Sequence, residues 1–267
     1  MELQGRAADL QREGLAIVAV SYDAVPVLAE FSARMKIGFP LLSDPGSATI
    51  RRYGILNTSV DAANPTYGIP FPGTFMLDAR GVVTSRFFET AYQERDTISS
   101  ILVRLGGRLD VPAQKVSTPH LEITSRATDQ VATPGTHFSL VLDITPAARM
   151  HVYAPGVSGY KPISLTIRSR AGLVVRSAAF PTPEDYFFEP LNEHVAVYQK
   201  PFRIVQDVMI DPSPAGMAAL KDESSLTIAA TLDYQACDDK LCFIPQSVPL
   251  SWTVSLRPLD RVRTKQP

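Results

Sequence analysis

The sequence is poor in cysteine and histidine, the usual ligands of zinc. It contains two cysteines, Cys237 and Cys242, and four histidines that are widely separated along the chain: His120, His137, His151 and His194. Because a structural zinc site needs about four ligands held close together, a metal centre is not expected. No motif for another cofactor is found either, so none is expected.

The sequence also lacks an excess of charge and any long apolar run. The net charge is −1 over 267 residues, and no basic cluster precedes the short tail RVRTKQP. A nucleic-acid partner is therefore not expected. No apolar run reaches the length of about 18 residues that a membrane span requires. The opening stretch MELQGRAADLQREG is charged and helical in pattern, so this chain is expected to have no signal peptide.

Both cysteines lie in YQACDDKLCFIPQ (234–246), between two stretches of strand-like pattern. LTIAATLDY before it and SVPLSWTVSL after it alternate with a period of two, which is typical of half-buried strands. The polar turn Asp238-Asp239-Lys240 can reverse the chain and bring the two Cβ atoms within about 4 Å, in disulfide range.

From the residues alone, two interpretations of this pair remain open. A structural disulfide closing so short a loop would contribute about 2 kcal/mol in the loop-entropy model. A redox-active pair is equally consistent, since a short loop near the surface allows ready exchange. Asp238 and Asp239 would raise the thiol pKa of Cys237 and Lys240 would lower it, so the residues do not decide which cysteine attacks.

Four segments, in this order, resemble the N-terminal periplasmic domain of the thiol:disulfide interchange protein DsbD: HVYAPG (151–156), PTPEDYFFEP (181–190), VYQKPFRI (197–204) and the YQAC…CFIPQ segment. The resemblance implies an all-β immunoglobulin-like sandwich over residues 119–257. In that family the two cysteines pass reducing equivalents beneath a loop whose aromatic ring caps the disulfide.

The resemblance also implies site residues and partners. The cap would be Phe187 or Phe188, with Asp185 and Glu189 beside it, and Tyr153 and Tyr234 would line the pocket. Ordinary core packing is the alternative for these aromatic residues. The partner would be another thiol-disulfide protein, either thioredoxin-like or a membrane electron donor, in the periplasm or cell envelope.

Residues 1–107 alternate helix and strand patterns. Helices are predicted in ELQGRAADLQRE, VPVLAEFSARMKI, GSATIRRYG and QERDTISSILVRLGG, and a hairpin in TFMLDARGVVTSRFF. LAIVAVS (15–21) is a continuous apolar run, typical of a parallel strand buried on both faces. PLLSD (40–44) predicts a second short strand.

This part of the chain resembles the later portion of a thioredoxin fold of the alkyl hydroperoxide reductase/thiol-specific antioxidant (AhpC/TSA, redoxin) family. VAVSYD (18–23), FPLLSDP (39–45), YGI (53–55) and GIPFPGTFMLDARGVV (68–83) carry the resemblance. Pro72 falls where thioredoxin-like folds keep a cis-proline.

The catalytic cysteine of that family, and the central strand before it, have no counterpart here. Residues 1–107 contain no cysteine, so peroxidase activity is not expected from this chain. We expect Met1 to be an internal methionine or the start of a fragment, with a cysteine motif upstream. An antioxidant peroxidase therefore remains an alternative function if such a segment supplies the cysteine.

The sequence thus predicts two domains: an incomplete α/β thioredoxin-like domain (1–107) and an all-β immunoglobulin-like sandwich (119–257). Residues 108–118 form the linker and 258–267 a basic tail. The predicted function is thiol-disulfide exchange through Cys237 and Cys242. A non-catalytic binding module with a structural disulfide is the alternative.

Overall fold

A computed structural model describes residues 2–58, 61, 63, 67, 69–88, 95–107, 109–188 and 192–257. The chain divides into two compact units, Met1–Leu109 and Asp110–Pro267. The predicted basic tail (258–267) lies outside the described residues.

The first unit alternates helices and strands, as the sequence patterns predict. Its elements are α1 (Glu2–Gly5), α2 (Ala7–Arg12), β1 (Ala19–Ser21), α3 (Val25–Met35), β2 (Leu41–Ser43), α4 (Ala48–Arg52), β3 (Gly73–Leu77), β4 (Val83–Phe88), β5 (Arg95–Asp96) and α5 (Ile98–Arg104). β1 pairs in parallel with β2, and β3 pairs with β4 as the predicted hairpin. The hairpin turn is held by Asp78, whose Oδ1 accepts the backbone N–H groups of Arg80 and Val82, each at 2.9 Å.

The apolar run at 15–21 is not the doubly buried strand that the sequence predicts. Only Ala19–Ser21 forms a strand, and Val18 and Val20 are 55% and 45% exposed. A parallel strand is buried on both faces only when helices cover both and a strand lies on each side. Within the described residues of the first unit, β1 has one strand neighbour, β2.

The expectation of a cis peptide bond before Pro72 is also wrong. No cis bond occurs in the described part of the chain, so the Phe71–Pro72 bond is trans. The segment is already extended, since the N–H of Phe71 donates to the carbonyl of Ile55 at 2.7 Å and Pro72 leads directly into β3. An extended entry of this kind is satisfied by the trans isomer that most X-Pro bonds adopt.

The described residues of the second unit are almost entirely strands, with one short helix in the connection 213–224. Its elements are β6 (Gln114–Ser117), β7 (Leu121–Ala127), β8 (Val131–Ala132), β9 (Thr136–Pro146), β10 (His151–Tyr153), β11 (Ser164–Ile167), β12 (Leu173–Ala179), β13 (Glu184–Phe188), β14 (Glu193–Tyr198), β15 (Phe202–Ile210), α6 (Pro214–Ala219), β16 (Ser225–Tyr234), β17 (Ala236–Cys237) and β18 (Gln246–Leu256). The all-β architecture predicted for this region is confirmed.

Two sheets of the second unit share one apolar core. One sheet has the strand order β12-β15-β9-β7-β6 and the other β11-β16-β18-β8. Their inward residues alternate along each strand, as the period of two predicts. Fully buried members of this main core include Leu142 on β9, Ile204 on β15, Leu232 on β16 and Val254 on β18.

A third sheet, with the order β13-β14-β10-β17, carries the cysteine segment. One of its faces contributes Val152, Tyr198 and Ala236 to the main core. The other face carries Tyr153 and Cys237, which pack with Val195 and Val197 in a separate small cluster. We call this second side the site face.

Candidate functional site

Cys237 and Cys242 form a disulfide across a tight turn, with their Cα atoms 4.0 Å apart. The carboxylate of Asp238 organises the turn, since its Oδ1 accepts the backbone N–H groups of Lys240 and Leu241, both at 2.7 Å. These hydrogen bonds lower the pKa of Asp238, so it is ionised at neutral pH.

The two sulfurs are in different environments. Cys237 ends β17 and is only 1% exposed. Cys242 lies on the far side of the turn and is exposed. Its neighbours Leu241 and Ile244 are also exposed, at 59% and 81%. A reagent from solvent can therefore reach the sulfur of Cys242 much more easily than that of Cys237.

Tyr153 contacts both sulfurs. Its hydroxyl lies 3.1 Å from Sγ of Cys237 and 3.4 Å from Sγ of Cys242. Because disulfide sulfurs carry no proton, the tyrosine O–H is the donor. Burial, followed by the influence of Tyr160 and Glu193, raises the pKa of Tyr153 far above its ordinary value, so this donor stays protonated.

A second tyrosine supports the first from the site face. The ring of Tyr160 stacks on that of Tyr153 with centroids 4.1 Å apart. Its hydroxyl donates to Oε2 of Glu193 at 2.9 Å, and that hydrogen bond raises the pKa of Tyr160. The stack restricts the position of Tyr153 and therefore keeps its hydroxyl on the sulfurs.

His151 and Tyr186 also lie on the site face and complete the site. His151 is the register partner of Cys237 across β10 and β17. The imidazole lies 4.6 Å from the ring of Tyr186 and 5.5 Å from that of Tyr153, centroid to centroid. The hydroxyl of Tyr186 donates to Asp239 at 3.2 Å, and Arg149 approaches the same carboxylate at 3.5 Å.

The structure does not bring all of the predicted site residues to the disulfide. Tyr153 lies at the disulfide. Tyr234 is fully buried in the main core, where its hydroxyl lies 2.8 Å from that of Thr118. It does not belong to the small cluster around Cys237. Glu189 lies outside the described residues.

The register of β13 decides which aromatic side chain faces the site. Tyr186 pairs with Val195 and therefore lies on the site face. Phe187 and Asp185 point to the opposite face, where they contact His194. Phe187 is accordingly not the cap, and Asp185 does not lie beside one. Phe188 shares the side of Tyr186, so its role as a cap stays a prediction.

Sequence reasoning missed His151, Tyr160, Tyr186 and Glu193 as site residues, whereas Asp239 was already expected to act on Cys237. His151 stood in the HVYAPG segment and Tyr186 in the PTPEDYFFEP segment that carried the resemblance, so a signal was present for both. Tyr160 and Glu193 meet only through folding, because their contact joins a loop to a strand.

A separate cavity of about 320 Å³ lies in the first unit, between α3 and the β1–β2 pair. Its lining includes Asp23, Glu30, Phe31 and Arg34 and contains neither thiol nor imidazole groups. Among the described residues, no group of three potential metal ligands occurs and no helix is long and apolar enough to cross a membrane.

Comparison with known families gives two matches. Residues 1–86 match the AhpC/TSA family, and residues 121–250 match the family described as "Thiol:disulfide interchange protein DsbD, N-terminal". The two resemblances predicted from the sequence are thereby confirmed. The second match and the Cys237–Cys242 disulfide support a redox-related role in thiol-disulfide chemistry.

Solved structures give only distant similarities. The N-terminal periplasmic domain of ScsB from Proteus mirabilis is 13% identical, and the alignment covers 51% of this chain and 49% of that one with a TM-score of 0.36. The reduced DsbD n-terminal domain of Neisseria meningitidis is 12% identical, with 44% and 81% covered and a TM-score of 0.30. The chain thus spans about half the length of the first of these. No curated protein sequence matches the chain.

Proposed function

We propose that the second unit exchanges its Cys237–Cys242 disulfide with the thiols of a partner protein. The observation that carries the proposal is the unequal exposure of the two sulfurs, with Cys237 buried and Cys242 open to solvent. A disulfide that only stabilises the fold has no need of one reachable sulfur, whereas exchange requires it.

In the reductive direction, a partner thiolate attacks Sγ of Cys242. A new bond joins the partner sulfur to Cys242, the bond to Cys237 breaks, and its electron pair leaves on Cys237 as a thiolate. The partner's second thiolate then attacks its own sulfur in this mixed disulfide and releases Cys242 as a second thiolate. The two electrons come from the partner dithiol, which becomes a disulfide.

In this scheme Tyr153 acts on the leaving sulfur. Its hydroxyl already lies 3.1 Å from Sγ of Cys237 in the oxidised form. A hydrogen bond to a charged acceptor is stronger than one to a neutral acceptor, so the same contact stabilises the thiolate more than the disulfide. Tyr153 thereby lowers the barrier to opening without moving.

The partner and the compartment are proposed from the family resemblance. A thioredoxin-like protein or a membrane electron donor would supply or accept the electrons, in the periplasm or cell envelope. The first unit would be a thioredoxin-like portion of the AhpC/TSA type, which contributes no thiol of its own.

The test compares Cys237→Ser with Cys242→Ser, each of which leaves one free thiol. We expect Cys242 in the first variant to react rapidly with an aromatic disulfide reagent and to form a mixed disulfide with glutathione. Cys237 in the second variant should react far more slowly. Under denaturing conditions both thiols should react at similar rates, which controls for intrinsic thiol reactivity.

The reduction potential of the wild-type protein provides the second measurement. A labile, exchanging disulfide lies above about −300 mV. A potential well below that value, or equal reaction rates of the two folded variants, would contradict the proposal. The alternative of a binding module with a structural disulfide would then hold.

A further inference from the structure

A histidine is paired with the buried cysteine of the site. His151 and Cys237 are paired directly across β10 and β17, so their side chains leave the same side of the sheet. Side chains at such paired positions have Cβ atoms about 4.5–5.5 Å apart. Both residues are almost completely buried, with His151 3% and Cys237 1% exposed. Disulfide exchange as described above assigns no role to His151.

The surroundings of His151 contain few charges, and these are of both signs. Tyr153 lies on its own strand, and Tyr186 reaches it from β13. Asp238 and Asp239 act on it from the turn, and Arg149 partly neutralises Asp239. In the oxidised protein, burial lowers the pKa of His151 and the two aspartates oppose that effect. The imidazole is therefore neutral at pH 7 while the disulfide is closed.

We propose that His151 takes up a proton when the disulfide opens and holds Cys237 as a thiolate in an imidazolium–thiolate pair. This proposal rests on the exchange reaction proposed above. His151 acts through Cys237 and touches no substrate, so it is a positioning residue.

With His151 as a proton acceptor, every proton released during reduction has a place to go. The partner dithiol delivers two electrons and releases two protons when it becomes a disulfide. One proton converts Cys242 to a thiol, and the other is taken by His151 beside the thiolate of Cys237. The buried pair is then neutral as a whole, which avoids leaving an isolated charge in a poorly solvated place.

Without His151, the same burial would favour an uncharged Cys237. Desolvation raises the pKa of a buried thiol, and the neighbouring carboxylates of Asp238 and Asp239 act in the same direction. An opposite charge at close range reverses the shift, and such neighbours lower the pKa of an acid by about 1–3 units. A protonated imidazole would therefore add to the hydrogen bond from Tyr153 in favouring the thiolate form of Cys237.

The experiment uses the full chain with Cys242→Ser, in which Cys237 is the one cysteine. The ultraviolet absorbance of its thiolate is recorded against pH, with and without His151→Phe. Phenylalanine keeps a ring against Tyr186 but cannot take a proton. We expect the apparent pKa of Cys237 to rise by about one unit or more when His151 is replaced.

His194→Phe is the matched control. His194 lies on β14 in the same sheet but on the opposite face, where it contacts Asp185 and Phe187. Its replacement should leave the titration of Cys237 unchanged. An equal change in both variants would show a general effect of histidine loss and would overturn the proposal.

A second measurement uses the intact histidine and so does not depend on the folding of His151→Phe. The imidazole of His151 is titrated by proton NMR in reduced wild-type protein and in the Cys237→Ser/Cys242→Ser double variant. Its pKa should be higher when the Cys237 thiolate is present, since the two groups titrate as a coupled pair. Equal values in the two proteins would refute the pair. Failure of the exchange function itself would appear separately, as a reduction potential well below about −300 mV.

Discussion

Replacing Tyr153 by phenylalanine removes one hydroxyl from the site and leaves the ring in place. That hydroxyl lies within 3.1 Å and 3.4 Å of the two sulfurs. Hydrogen bonds to neutral acceptors contribute about 0.5–1.5 kcal/mol and those to charged acceptors about 1.5–3 kcal/mol. The substitution should therefore destabilise the reduced thiolate form more than the disulfide form, by about 1 kcal/mol.

This difference converts directly into a reduction potential. For a two-electron couple, 30 mV corresponds to about 1.4 kcal/mol, so Tyr153→Phe should make the potential more negative by about 20 mV. The assay equilibrates oxidised and reduced protein in glutathione buffers and counts free thiols by alkylation and mass. A series of buffers around the wild-type midpoint resolves a shift of this size.

Tyr198→Phe is the control for the loss of a buried hydroxyl. Tyr198 lies on β14 in the same sheet, but its hydroxyl donates to the carbonyl of Pro181 at 2.8 Å and its ring faces the main core. This variant should lose stability by about 1 kcal/mol and keep the wild-type potential. A potential that is unchanged in Tyr153→Phe, or that becomes more positive, would refute the role of this hydroxyl at the leaving sulfur.

Three further outcomes follow from the faces and burial of particular residues. Phe188→Ala should speed reduction by a small thiol severalfold while Phe187→Ala leaves the rate unchanged, because only Phe188 shares the site face; the reverse result would place the cap elsewhere. The unfolding free energy of the oxidised wild type, relative to that of His151→Phe, should fall as the pH drops below 6.5. The reason is that His151 has a lowered pKa in the folded protein, so the unfolded chain binds a proton there more readily. Denaturant titrations at several pH values measure this free energy, and an increase at low pH would contradict the lowered pKa. Leu142→Ala, at a fully buried position of β9, should cost about 2–5 kcal/mol in the same assay, whereas Leu241→Ala at the exposed turn should change stability by less than about 0.5 kcal/mol.

The main strands of the second unit could be predicted because their alternation is regular. Along β9, Phe138, Leu140, Leu142 and Ile144 all face the main core, as a period of two requires. The same pattern in β16 and β18 correctly placed the cysteines between two long strands, and the turn residues correctly predicted a close pair. These long strands are predictable because one face of each is buried, and that burial requires an apolar residue at every second position.

The faces of the shorter strands could not be predicted. β13 has the sequence EDYFF, in which polar and apolar residues do not alternate, so the sequence does not show which ring points inward. Only the pairing of β13 with β14 shows that Tyr186 lies on the site face and Phe187 on the opposite face. β10 is three residues long, and the position of His151 opposite Cys237 depends on pairing between distant parts of the chain. In the first unit, the apolar run around β1 predicts a doubly covered strand, but among the described residues of that unit only β2 pairs with it.

The sheet that carries Cys237 also limits what reduction can change. Val152 and Ala236 are almost completely buried in the main core, and they alternate with His151, Tyr153 and Cys237 along the same two strands. Moving the backbone at Cys237 would pull these core side chains from their packing, at a cost far above that of rearranging a solvent-exposed loop. Opening the disulfide is therefore confined to the five-residue stretch from Asp238 to Cys242. We expect the strands of the second unit to be the same in the oxidised and reduced forms, so a partner that binds one form and releases the other would have to recognise this turn and the charge beside it.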